Sequence, residues 1–154
     1  MLIIGTTVVY LQIQHAKNRP LGYNSDGLIF IYMSNELHDH FEAMRNELKS
    51  NGAIIDMAEA SAPPTQTSSS SSQFDWSGKD PNLSVDFSFF TVGADYGKVL
   101  GWNIGQGRDF DVQRKSDSSA MILNQAAVDF MGLKNPVGET IRWSGRFIRS
   151  SGSC

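Results

Sequence analysis

Residues 1–13, Met1 to Ile13, carry no charge, and polarity then returns abruptly at Gln14-His15-Ala16-Lys17-Asn18-Arg19-Pro20. At about 1.5 Å per residue an apolar helix of this length spans roughly 20 Å, against roughly 30 Å for the hydrocarbon core of a bilayer. The expectation is the outer end of a transmembrane helix over residues 1–16, too short to cross a bilayer as written. A secretory signal would put basic residues before the apolar run and a small-x-small cleavage site after it. Nothing basic precedes Leu2, and Gln14-His15-Ala16-Lys17 is a poor site. A buried first strand or helix of an ordinary globular domain competes with the membrane reading, because short apolar runs are ambiguous. Lys17 and Arg19 on the outer flank run against the positive-inside bias, although two charges decide little.

The remainder is polar and large enough for one domain with a real core. A net charge of -3 and an isoelectric point near 5.5 argue against nucleic acid as a partner, since the basic residues are scattered or mixed with acidic ones. The single cysteine, Cys154, excludes an internal disulfide, a CxxC metal knuckle and a cysteine nucleophile.

Along the chain, Gly27–Met33 reads as a buried strand after the turn-rich Pro20–Asn24. Ser34 or Asn35 caps a helix whose Leu37, Phe41, Met44 and Leu48 share one face, and Gly52 stops it. Ala53–Ala58 reads as a second strand, giving a strand-helix-strand lobe over residues 28–58. Residues 60–73, with Pro63-Pro64 and five consecutive serines (Ser68 to Ser72), are expected to be a flexible loop. A β-rich lobe is expected over 74–143. Its strands are Phe74–Gly78, Ser84–Val92, Ala120–Leu123 and a last one from Thr140, with a turn at Lys79–Asn82. Asp95 caps a short helix ending at Gly101, and Asn124 caps one ending at Gly132.

The succession Gly107-Arg108-Asp109-Phe110, then Asn124-Gln125-Ala126-Ala127, then Asn135-Pro136-Val137-Gly138 resembles the extracytoplasmic core domain of MacB/FtsX-type ABC transporter permeases. The stretch from Ile3 to Asn24 is similar to the membrane helix and exit segment that precede that domain. Long permeases of Bacteroidetes-like bacteria, with two such domains per chain, are the nearest pattern, and the second domain fits better. The resemblance runs over roughly residues 1–143 and implies an α+β fold of two lobes, with a MacB-like periplasmic core over 17–143. It implies a non-catalytic part of a permease in the bacterial inner membrane, its folded domain on the periplasmic side. There it would couple ATP-driven motion of a partner ATPase to export or mechanotransmission. The implied partners are an ABC ATPase subunit or domain, a second permease copy or half, periplasmic or outer-membrane proteins, and the membrane itself. Residues 144–154 depart from the pattern and are expected to be a divergent tail. The alternative is a free-standing exported binding module or envelope enzyme with an N-terminal export signal.

No catalytic, cofactor-binding or metal-binding residue emerges from the sequence. His38 and His40 are two apart on a helix and cannot share a metal, and a contact of His38 or Asp39 with Glu42 is usually a solvated helix face. Gly105-Gln106-Gly107-Arg108 lacks the further glycine or Gly-Lys-Ser/Thr of a phosphate loop, so it reads as a turn anchored by Phe110, with Arg108 pairing Asp109 or Asp111 or bracing carbonyls. The serine tract has no nucleophile elbow, and the carboxylates are dispersed. Trp76, Trp102 and Trp143 read as core or lobe-interface residues. The positions expected to matter structurally are Gly107, Arg108, Phe110, Asn124, Asn135, Pro136 and Gly138.

Overall fold

The computed structural model describes residues 2–17, 22–66 and 68–154 and has an α+β fold. The expected connector at Pro20 and Leu21, and Thr67 of the expected loop, lie outside the described residues. Helix α1 (Leu2–Lys17) realises the apolar run, with Ile4, Val8, Val9, Tyr10, Leu11 and Ile13 all exposed. No helix among the described residues is long and apolar enough to cross a membrane.

The next helix forms where its periodicity placed it, but in two pieces: α2 (Asn35–Asp39) and α3 (Phe41–Ser50), broken at His40. Ser34 Oγ accepts from Leu37 N at 3.2 Å, the expected cap, and Leu37, Phe41, Met44 and Leu48 form the half-buried face. The two flanking strands of the expected unit do not form. Residues 28–33 and 53–58 are irregular, with Ile29, Phe30, Ile31, Tyr32 and Ile55 exposed. An apolar run becomes a strand only where another strand supplies its ladder hydrogen bonds.

The residues read as a flexible loop contain strand β1 (Ser69–Ser71), which pairs antiparallel with β3 (Phe87–Phe89). Serines with short side chains can line such a strand because the ladder is backbone-made, which composition does not reveal. Ala60 and Val92 add an antiparallel bridge beside it.

The main sheet joins β2 (Phe74–Asp75), β4 (Gln106–Gly107), β5 (Ala120–Leu123), β6 (Thr140–Trp143) and β7 (Arg146–Ser153). Its centre is β7. Strands β6 and β4 pair antiparallel along one side of it, β5 pairs parallel along the other, and β2 extends the sheet beyond β6. The residues expected to be a divergent tail are therefore the middle of the sheet. Their Ser-Ser-Gly-Ser stretch lacks apolar alternation because its neighbours approach too closely for large side chains. A Cβ on Gly152 would lie 2.9 Å from the carbonyl oxygens of both Gln106 and Arg108, and Ser150 and Ser153 are buried.

Helix α4 (Tyr96–Leu100) ends at Gly101 and α5 (Gln125–Met131) ends at Gly132, both glycines left-handed as expected at helix stops. Asn124 caps α5, its Oδ1 accepting from Ala127 N at 2.8 Å. Asp95, by contrast, makes no side-chain cap bond to α4. The core lies between α5 and the sheet: Phe74, Trp76, Leu123, Val128, Met131 and Ile141. Phe74 stacks on Trp143 at 5.8 Å and meets Phe87 and Phe89 edge-on, contacts worth about 0.5–1.5 kcal/mol each beyond area burial.

Candidate functional site

The three recognised motifs fall within residues 107–138, and each meets β7 or Cys154 just after it. Gly107 pairs with Gly152, and Arg108 N donates to Ser151 O at 3.1 Å. The register of β5 against β7 slips at Ser151, which leaves that carbonyl turned toward Arg108. Gly138 N donates to Ser150 O at 2.8 Å, and Ser150 N returns a bond to Glu139 O at 2.9 Å. Beside the Asn124 cap, Gln125 N donates to Cys154 O at 2.7 Å and Cys154 N to Leu123 O at 3.0 Å. Pro136 is fully buried, whereas Asn135 is exposed. Gly107, Arg108, Gln125 and Gly138 thus hold that strand and its end in place; sequence reasoning singled out their motifs without locating the strand.

Arg108 does not pair with Asp109 or Asp111. Its guanidinium forks onto Asp117, with Nη1 donating to Oδ2 at 2.6 Å and Nη2 to Oδ1 at 2.7 Å. It also braces the Asp109 carbonyl at 2.9 Å, as expected. Asp111 N donates to Asp117 Oδ2 as well, so the loop from 108 to 117 closes around one nearly buried carboxylate. The Arg108 guanidinium holds the Asp117 carboxyl down at about 2. Asp109 instead accepts from Trp102 Nε1 at 3.0 Å, and together they fill the space over Gly97, where no Cβ fits. Phe110 is half-buried and stands outside the main apolar cluster.

His38 and His40 come to no common point. His38 Nδ1 lies 2.6 Å from Glu59 Oε1, which raises its pKa, and Glu42 lies 3.9 Å from Arg45. Among the described residues, no group of three His, Cys, Asp or Glu could hold a metal ion. Two open depressions, of about 300 and 380 Å³, flank the Asp75–Arg142 ion pair at the β2 edge; Trp76, Thr140 and Phe147 line one, Gln73 and Ser144 the other. Of the tryptophans, Trp76 is buried, Trp143 packs against the core and Trp102 is held by Asp109.

Sequence reasoning missed a charge cluster. Arg45 on α3 donates through Nε to Asp56 Oδ1 at 2.8 Å, and its Nη1 lies 2.7 Å from Asp95 Oδ2. Lys49 and Lys98 also reach Asp56, at 3.0 and 3.6 Å. The surrounding cations hold the Asp56 carboxyl well below the usual range, and the carboxylates raise Arg45 above its own. The signal was present in the spacing: Arg45 stands four after Phe41 and three before Leu48, on the apolar stripe.

No family model and no curated protein matches the chain. Among solved structures it is similar to the periplasmic region of MacB from Actinobacillus actinomycetemcomitans. The likeness is 22% in sequence, with a TM-score of 0.48, and covers 73% of this chain and 49% of that one. The chain thus spans about half the length of the structure it matches.

Proposed function

We propose that this chain is an extracytoplasmic portion of a MacB/FtsX-type ABC transporter permease, set on the periplasmic face of a bacterial inner membrane. In this reading it performs no bond chemistry; it transmits motion driven by a partner ATPase to export or mechanical work in the envelope. The main body divides into a lobe around residues 28–58 and a β-rich lobe that extends past residue 143 to include β7. A second permease copy or half and periplasmic or outer-membrane proteins are the further partners.

The observation that carries this reading is α1. Val8, Val9, Tyr10 and Leu11 are consecutive and therefore point around the whole helix, and all four are exposed. A helical turn apolar all round, in a helix whose polar residues gather toward its end at Gln12, Gln14, His15 and Lys17, fits a protein core or a lipid phase. The order of the Gly107, Asn124 and Asn135 motifs supports it from the other end of the chain.

The test is made on the native gene product in its own host. It should resist alkaline carbonate extraction from membranes and co-purify, after crosslinking, with a nucleoside triphosphatase. The isolated chain should turn over no ATP. A native product released into the aqueous fraction, with no companion ATPase, would overturn the proposal.

A further inference from the structure

The segment from residue 25 to residue 58 leaves and rejoins the body at neighbouring points. Asn24 N donates to Leu100 O at 2.9 Å where it departs, and Gly93 N donates to Glu59 O at 2.8 Å where it returns. Both anchors flank α4. Between them, α2 and α3 contain no buried residue, and the main apolar cluster draws none of its members from this segment. Apolar packing, the usual means of fixing a helix to its domain, is therefore weak here.

The Arg45 cluster crosses that gap. Its Nε faces Asp56, within the excursion, and its Nη1 faces Asp95, on the body immediately before α4. Lys98 of α4 reaches back to Asp56 from the other direction. The Asp56 side chain is only 8% exposed and that of Arg45 14%, so their charges are partly shielded from water. Removing one partner of such a cluster leaves another charge uncompensated, so the attachment is stiff while all members are present.

We infer that Arg45 is a clamp across a hinge: the helical excursion of residues 25–58 loosens and opens as one cooperative unit between its two anchors at the ends of α4 when the Arg45–Asp95 contact opens, and the sheet stays folded. This rests on the geometry of the cluster and not on the transporter reading. Because Asp95 makes no cap bond to α4, neutralising it removes Arg45's hold on the body, leaving only the longer Lys98–Asp56 contact across the gap, without uncapping that helix.

Hydrogen exchange read by mass spectrometry on the whole chain tests this with Asp95→Asn and, as a control, Glu42→Gln, whose carboxylate is exposed and 3.9 Å from Arg45. In Asp95→Asn, amides of residues 35–58 should exchange about two- to fivefold faster, with residues 120–153 unchanged. Glu42→Gln should match the parent. Unchanged exchange over 35–58 would overturn the inference, as would equal acceleration throughout the chain. An Asp95→Asn protein that fails to fold would do the same, since the sheet would then depend on the clamp.

Discussion

Replacing Gly107 with alanine should be more damaging than replacing Gly138, although the two have nearly the same positive φ. Their φ values are 83° and 86°, so an alanine at either meets the left-handed penalty of about 1–2 kcal/mol. At Gly138 nothing lies within 4 Å of the added methyl. At Gly107 it would stand 2.8 Å from Gly152 Cα and 2.9 Å from Val137 Cγ2, and it would also collide with the Ser151 carbonyl oxygen. The valine can turn aside; the β7 backbone can yield only by drawing away from β4. That movement breaks the bonds from Gly105 N to Ser153 O and from Arg108 N to Ser151 O, each worth about 1 kcal/mol net. The total for Gly107→Ala is then about 3–4 kcal/mol. At about 2–4 °C per kcal/mol for a chain of this size, thermal unfolding followed by circular dichroism should show Tm falling by roughly 6–16 °C for Gly107→Ala and roughly 2–8 °C for Gly138→Ala. Within one set of measurements the ratio should lie at about two to three. Equal losses at the two positions would refute the claim that close approach of β7 is what requires Gly107.

Deleting residues 144–154 removes the strand that holds β4, β5 and β6 together, so the truncated chain should lose cooperative thermal unfolding; a sharp transition in calorimetry would contradict the placement of β7. Asn124→Ala should cost about 1 kcal/mol through loss of the α5 cap, seen as a shift in the urea midpoint with unchanged slope. Asp117 has a folded-state pKa of about 2, below the ordinary carboxylate value of about 4, so its stabilising contribution is present above pH 4 and is lost as the pH falls from about 4 through 2. The stability difference between the parent and Asp117→Asn should therefore shrink across that window in urea titrations, and a difference independent of pH would disprove the Arg108 pairing.

Where a segment's signal was local, the sequence was readable. Asn124 and Gly132 bracket α5, Ser34 caps α2, and Ala120–Leu123 and Thr140–Trp143 are strands because short-range hydrogen bonding and apolar pattern agree there. Pairing that depends on distant partners was not readable. Ile29–Tyr32 has strand composition without a strand beside it, while Ser69–Ser71 and Ser150–Ser153 have loop composition and yet stand in ladders. Of the positions expected to matter structurally, Gly107, Arg108 and Gly138 contact β7, Asn124 caps α5 and Pro136 is buried, whereas Asn135 is exposed and Phe110 stands outside the main apolar cluster. The contacts with β7 were hidden because that strand carries no apolar alternation. The Arg45 cluster was masked for a related reason: its charges looked like an ordinary solvated helix face until Asp56 and Asp95 arrived from elsewhere in the chain.

Because β7 comes after β4, β5 and β6 in the sequence, a chain emerging from the ribosome must hold β4 and β5 without a partner, and β6 with only the two-residue β2, until β7 appears. Those strands have little to bind beforehand, and the parallel β5–β7 pairing closes a long loop, a slow kind of contact to form. Assembly of the sheet is thereby postponed to a single late event. Until it occurs, the apolar surface around Ile141 and Leu123 is open to mispairing, which makes these few serines and glycines the gatekeepers of productive biosynthesis.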